Sequence, residues 1–434
     1  MSPSYIGSIA DPPTDKPPRK DAWLTPSQLN SIHSNSRCVT EASSITLRAM
    51  AESHRGSHLR PPRAISRSIL LVLAGLTLAA CNPSEEPILI GLAGPFSQPR
   101  AQSMQFAAQL AVSEINQQGG VRGRPLQLVV QDDSGLADIA VRVARVLYDD
   151  PNVVAVVGHM NSGATLAAAR VYNSGDNPLV EISPSASSPD LSGAGPYTFR
   201  ICPSDSIHGT QLAEWARDRL GANRVAILYE NDAYGRGLRT TFRNSFIERG
   251  GQIVSEDPFS AVLPSFEPYL TRIRSRGGAD VVLFAGARDG AAEMLRTLNM
   301  IRFKPTVLGG DGAAGIETEE VDAEGVYISL AYLHDQPGAR NEAFTSEYRR
   351  IYGGQLPDHR GAGAYDAVFL LARAIEAVGL NRVRIRDYLA GIGQVTEPYQ
   401  GVTGSIGFDA NGDVVDRDVV IGIVSNNRLE SVAR

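Results

Sequence analysis

The sequence predicts an α/β protein built as two doubly wound parallel-sheet lobes joined by interlobe crossovers. Three observations lead there. Short runs that are apolar throughout recur along the chain from residue 88 onward, the mark of parallel strands covered on both faces. Segments with apolar residues three and four apart lie between them, as crossover helices require. The stretch 81–434 is long enough for two lobes of ordinary domain size.

The elements follow in order. ILIGLAGPF (88–96) is a continuous apolar strand. Met104, Ala107, Ala108, Ala111 and Ile115 then form the stripe of an amphipathic helix. GGVRGRP (119–125) is a turn cluster, LQLVVQDD (126–133) a strand and 137–149 a helix. VVAVVGHM, LVEIS and TFRIC continue the strand series. A second series follows at 224–230, 252–259, 280–286 and 306–312, with helical patterns at 235–249, 266–276 and 288–300 between its members. After the strand 325–332 the rhythm changes: two helices, 340–352 and 361–379, come close together. The end of the chain, GSIGFDANGDVV and VVIGIVSNN, reads as a hairpin around Asn411-Gly412. That departure implies that the chain crosses back between lobes. The expected division is 86–204 plus 329–402 for the first lobe and 205–328 plus 403–430 for the second, with crossovers near Asp205, Ser329 and Thr403.

Upstream lies a different kind of segment. Arginines at 60, 63 and 67 precede the apolar run of RSILLVLAGLTLAAC (67–81), which ends in Leu78-Ala79-Ala80-Cys81. Basic residues, a short apolar core and a small-residue cut are the order of a secretory signal. The core is about a dozen residues, short of the ~20 needed to span a bilayer. Its terminal cysteine resembles a bacterial lipobox, which implies that Cys81 is lipidated and begins the mature chain. Residues 60–81 are therefore read as a lipoprotein signal and the mature chain as exported. Residues 1–59 are rich in Ser, Pro and charge without apolar periodicity, and read as disordered or as a misplaced gene start. Met50 would give a conventional signal spanning 50–80.

Composition narrows the chemistry. The chain holds 41 basic and 47 acidic residues; 9 and 5 of them precede Cys81, so the remainder carries about −10. An acidic chain is a poor nucleic-acid binder. Of the three cysteines, Cys38 precedes the cut, Cys81 sits at it, and Cys202 is left without a partner, ending a strand as a small core residue. Lys304 is the one lysine after residue 81, which removes P-loop and Schiff-base chemistry. His159, His208, His334 and His359 lie far apart, and no Cys/His pair has zinc-site spacing. Gly310 to Gly315 match G-x-G-x-x-G, but Asp311 would stand where a pyrophosphate must lie, so dinucleotide binding is rejected. There is no G-x-S-x-G elbow, and Asp409, Asn411 and Asp413 lack the spacing of an EF-hand. No cofactor is expected.

In an open parallel sheet, ligands sit beyond the carboxyl ends of the strands. Asn161 and Ser162 open a helix after VVAVVGHM; its N–H groups and the Ser162 hydroxyl can hold a carboxylate, or the residues merely cap the helix. The loop Ser183 to Pro189 presents hydroxyls and N–H groups, Ser185 and Ser187 among them, unless it is an ordinary Ser/Pro loop. Asp205 and Asp311 follow strands of different lobes and could share an ammonium group; each alone reads as an N-cap. Tyr234 could lay its ring over a ligand or staple the helix entry. Together these residues suit a zwitterion.

The order IGLAGPFS, AVSEINQQGGVRGRPLQLVVQDD, VVAVVGHMNSGAT, ISPSASSPDL, FRICPSD, VAILYENDAYGRG and AYDAVFLLARAIEAV resembles the leucine/isoleucine/valine-binding protein family of ABC-transporter substrate-binding proteins, with the type I periplasmic binding fold. The resemblance covers about 88–425. It implies that Ser162 binds a ligand carboxylate, that Ser185 (through its backbone) and Ser187 (in place of a threonine) hold the ligand, that Asp205 and Asp311 are the site acids, with Asp311 on the α-ammonium, and that Tyr234 is the aromatic of the Y-G pair. Ala287-Arg288 departs from members that carry a tyrosine there. Arg288 either enters the cleft, favouring an acidic or amide-bearing ligand, or lies on the solvent side of a helix start.

The implied function is an extracytoplasmic, lipid-anchored binder of an amino acid or related small amine or amide, which closes around its ligand and delivers it to an inner-membrane ABC permease. The alternative is a ligand-binding sensor or envelope scaffold of the same fold. The enzyme reading needs a nucleophile–base pair facing the cleft, for which Ser162 with His159 is the nearby candidate, and no enzyme is expected.

Overall fold

A computed structural model of the chain describes residues 86–262 and 265–432. The 1–59 segment, the signal at 60–80 and the lipidation expected at Cys81 lie outside the described residues. Among the described residues no helix is long and apolar enough to cross a membrane.

The first sheet contains β1 (Ile88–Gly94), β2 (Leu126–Asp132), β3 (Val153–Val157), β4 (Val180–Ser183) and β5 (Thr198–Arg200), all parallel, in the order β2-β1-β3-β4-β5. Every residue of β3, Val-Val-Ala-Val-Val, is buried, as a central strand covered on both faces must be. The crossovers are α1 (Gln102–Gln117), α2 (Ala137–Asp149) and α3 (Ser162–Tyr172). Ile90, Leu92, Ala155 and Val157 face the larger core. Ala93, Val153 and Val156 face the other side, against Val143, Ala144 and Leu147 of α2.

The chain then enters the second lobe through α4 (Asp205–Glu214), prolonged by a π-helical turn, Trp215–Arg219. Strands β6 (Arg224–Glu230), β7 (Gln252–Phe259), β8 (Val281–Ala285), β9 (Thr306–Gly309) and β10 (Tyr327–Leu330) run parallel. Helices α5 (Ala233–Glu248), α6 (Glu267–Ser275) and α7 (Arg288–Met300) connect them. Pro258 is accommodated because β7 is the edge of the sheet. Two separate cores cover its faces, one around Phe259, Phe266 and Phe284, the other around Phe242 and Phe246.

After β10 the chain returns through α8 (Ala339–Ile351) to α9 (His359–Val378), which packs along α1, and then α10 (Arg382–Ala390). α9 is buried almost all round. Close packing at its start depends on Gly361, where a Cβ would stand 2.8 Å from the Ser103 carbonyl. A short antiparallel pair, β11 (Tyr399–Gly401) and β12 (Gly404–Ile406), follows. The last strands, β13 (Val420–Ser425) and β14 (Arg428–Ser431), add antiparallel to β10, giving the order β14-β13-β10-β9-β8-β6-β7.

One difference concerns the crossings. The return begins after Leu330, beside Ser329, which lies inside β10. The stretch 403–414, expected with the second lobe, goes with the first, because Ile406, Phe408 and Val414 complete the first sheet's core. Arg200 fixes it there: this fully buried side chain donates to Asp413 Oδ1 (2.7 Å), to the Ser188 carbonyl (2.7 Å) and to Ser192 Oγ (2.7 Å). The expected turn at Asn411-Gly412 is present as a tight loop with a Phe408–Val414 bridge. The terminal β13–β14 hairpin turns instead at Asn426-Asn427, both at positive φ (52° and 57°).

Candidate binding cleft

The strand ends of both lobes face a half-open cleft of about 80 Å³. The first lobe contributes Arg100, Met160, Asn161, Ser162, Ser185 and, from the start of α9, His359 and Arg360. The second contributes Glu230, Asp232, Tyr234, Ala287, Asp311 and Gly312.

On the first lobe, Gly158 ends β3 at φ 137°, and any Cβ there would lie 2.3 Å from the Ala93 carbonyl. This turn brings 160–162 to the cleft. Its support is a buried pair: His159 Nδ1 lies 2.5 Å from Asp133 Oδ2, while Nε2 is 3.3 Å from the Tyr172 hydroxyl. The His159 carbonyl accepts from Ser183 Oγ (2.7 Å) and Thr165 Oγ1 (3.1 Å). The imidazole therefore points into the lobe. Ser162 Oγ accepts from the Ser188 N–H (3.2 Å), so these two residues do not form a nucleophile–base pair. Ser162 instead begins α3, where the unpaired N–H groups of the first turn are disposed toward an anion. Ser185 lines the cleft and donates to the Met160 carbonyl (3.0 Å), joining the two donor loops.

Ser187 and Asp205 do not line the cleft. Both are fully buried behind its wall, where the Asp205 N–H donates to the Ser187 carbonyl (2.7 Å). Burial pushes the Asp205 carboxyl well above the usual range, and neighbouring Asp311 adds to the effect.

The second lobe presents acids. Asp311 stands in the turn after β9, almost fully buried. Tyr234 braces that turn, its hydroxyl accepting from the Gly312 N–H (2.9 Å). Asp232 caps α5 through the Gly235 N–H (2.7 Å), and Glu230 accepts from the Ala287 N–H (3.3 Å). Burial raises the Glu230 carboxyl, with Asp232 adding to it; burial also raises Asp232. Arg288 is outside the cleft: it lies against Gly315 with Nε 2.9 Å from Glu319.

The cations that do line the cleft are Arg100 and Arg360. Asp358 caps α9 by accepting from the Arg360 and Gly361 N–H groups (3.0 Å each) and pairs with Arg360 Nη1 (2.9 Å). Arg360 Nη2 donates to the Asp311 carbonyl across the cleft (3.1 Å). His359 Nε2 is 3.7 Å from Asp311 Oδ2, but burial, reinforced by Arg360, lowers the imidazole to about 4, so it is neutral at pH 7. The strand-end rule extends to Arg100 in the turn after β1, to Glu230, the last residue of β6, and to Asp232 just beyond it. Arg360 carries no such signal, since it arrives on a helix start late in the chain. Among the described residues no cluster of three or more His, Cys, Asp or Glu could hold a metal.

A cleft at the carboxyl ends of two parallel sheets, with anion donors on one lobe and acids on the other, defines a solute-binding protein. The sequence profile of the periplasmic binding protein family matches residues 87–428. The chain belongs to that family and has the type I periplasmic binding fold. It is 27% identical over 359 residues to Leu/Ile/Val-binding protein homolog 1 of Brucella suis, covering 79% of this chain and 92% of the relative. It is 27% identical over 362 residues to the leucine-, isoleucine-, valine-, threonine-, and alanine-binding protein of Pseudomonas aeruginosa, covering 81% and 93%. Among solved structures, an ABC transporter substrate-binding protein from Desulfitobacterium hafniense in complex with Leu matches at 32% identity and TM-score 0.69, over 80% of this chain and 100% of that one. A branched-chain amino acid transporter substrate-binding protein of Streptococcus pneumoniae in complex with isoleucine matches at 28% and 0.71, over 80% and 99%. The two relatives are named for binding amino acids and the two solved structures as transporter substrate-binding proteins, which fits solute binding as this chain's role.

Proposed function

We propose that this protein is the extracytoplasmic solute receptor of an ABC transporter, capturing an amino acid between its lobes and presenting it to a membrane permease. The observation that carries this reading is the opposition of groups across the cleft. Ser162 brings its hydroxyl, and the main chain at Ser162 and Ser185 brings N–H donors, on one side, and Asp311 stands on the other. A carboxylate is matched by the first set and an ammonium by the second. Closure is favoured only by contacts that exist in the closed state, and an α-amino acid touches both walls at once. Lipidation at Cys81 would hold the receptor beside its permease and raise its effective concentration there.

The test is a thermal-shift screen of the full chain against the L-amino acids, followed by calorimetry on those that raise the melting temperature. At least one should bind with a Kd in the micromolar range or below. A screen in which no amino acid stabilises the protein would overturn the reading. For the anchor, mass spectrometry should find acylated Cys81 at the N-terminus; an intact upstream segment carrying unmodified Cys81 would refute it.

A further inference from the structure

Arg100 and Arg360 give the cleft more positive charge than one α-carboxylate requires. Arg360 is almost fully buried, yet it satisfies only part of its fork, on Asp358 and the Asp311 carbonyl. Arg100, partly buried on the turn after β1, donates Nε–H to Gln98 Oε1 (2.7 Å). Among the described residues no ion pair and no hydrogen bond engages its Nη groups. The α-carboxylate already has donors at the start of α3 and in the serine loop. Glu230 and Asp289 attract the Arg100 charge but neither forms an ion pair with it, so a solute with no second anion would leave the guanidinium without a direct partner when the lobes close, which is costly.

Resting on the amino-acid reading above, we infer that Arg100 and Arg360 form a subsite for a second carboxylate, so that the preferred ligand is an α-amino dicarboxylic acid. A carboxylate completes the planar fork of a guanidinium through two parallel N–H···O bonds. Burial, and after it the charge of Arg360, lowers the Arg100 guanidinium; a carboxylate there would relieve the repulsion between the two arginines. The acids on the opposite wall, Glu230, Asp232 and Asp311, are left for the ammonium group. An amide of the same shape offers Arg100 a carbonyl but no charge, and an aliphatic side chain offers neither. Selection then follows from the unpaired charge that the wrong ligand leaves behind.

The experiment is calorimetry on the full chain in mild detergent with L-glutamate, L-aspartate, L-glutamine, L-leucine and glutarate. The better of the two acidic amino acids should bind at least 30-fold tighter than L-glutamine and L-leucine. Arg100→Gln, verified as folded by its melting curve, should bring the acid-to-amide ratio toward one. L-glutamine or L-leucine binding as tightly as the acids would overturn the inference, as would an unchanged ratio in Arg100→Gln. Glutarate equal to L-glutamate would overturn the ammonium role of the second lobe while upholding the arginine subsite. No binding by any of the five would overturn both.

Discussion

Arg360 Nη2 donates to the main-chain carbonyl of Asp311, 3.1 Å away, so a side chain of the first lobe grips the backbone of the second at the point where ligand would be held. This bond exists only when the lobes are close. Arg360→Lys keeps the charge but loses the fork that reaches both Asp358 and Asp311. The expected outcome is about a tenfold loss of affinity, seen in stopped-flow fluorescence mainly as faster ligand release. An unchanged release rate would show that the bond does not contribute to closure.

Asp311→Ala should weaken amino-acid binding by more than about tenfold, equivalent to about 1.4 kcal/mol, because a buried ammonium loses its partner. Calorimetry showing equal affinity would remove Asp311 from the site. Tyr234→Phe is the companion variant. It leaves the Gly312 N–H without its 2.9 Å acceptor, and affinity should fall less than in Asp311→Ala.

The Asp133–His159 pair is buried and distant from solvent. Asp133→Asn should destabilise the fold by roughly 3 kcal/mol, within the usual cost of breaking a buried pair, as measured by urea denaturation. Since the His159 carbonyl anchors the Ser183 and Thr165 hydroxyls, affinity should fall too. A loss of affinity without loss of stability would contradict this structural role.

Acid sensitivity follows from His359. Burial, then the Arg360 charge, moves its imidazole from 6.5 to about 4, so the folded state holds this proton more weakly than the unfolded chain. The sign is therefore that stability is fully present above pH 6.5 and is lost as pH falls toward 4, on the order of 3 kcal/mol at full extent. Asp205 acts in the opposite sense: its raised carboxyl contributes below the ordinary carboxylate range, and that contribution fades as pH rises. His359→Gln should flatten the decline in urea midpoint between pH 6.5 and 4.5; an equally steep decline would assign it to other groups.

The sheets are legible because short apolar runs bounded by turn residues alternate with segments of helical period. Strands 224–230 and 252–259 and helices 137–149 and 288–300 have the expected bounds. α4 and α10 were not foreseen. Their apolar stripes are weak, since α4 is packed against α5 and β10 and α10 is held largely by Arg382, whose guanidinium donates to carbonyls at Val153, Asp150 and Asn177. The terminal turn was missed because Asn426-Asn427 lacks the glycine that drew attention to Asn411-Gly412.

In the cleft, strand-end position located Ser162, Ser185, Tyr234 and Asp311, all of which line it. Ser187 and Asp205, named by the same rule, are buried outside that lining; the rule names the end of the sheet but not the side of the loop on which a residue falls. Arg288 drew attention for its sequence context, yet Glu319 holds it elsewhere. Arg360 could be placed only once α9 was seen to point its first turn at the second lobe.

The burial of α9 has a further meaning for how the cleft is framed. The helix is wedged against α1 with no room for a side chain at Gly361, so its axis cannot drift without emptying the core. Arg100, in contrast, is only partly buried where it lines the cleft. The frame that sets the distance between the two walls is thus built from packing that the cleft residues do not share, so a substitution at 100 should alter what is bound without loosening the lobe that binds it.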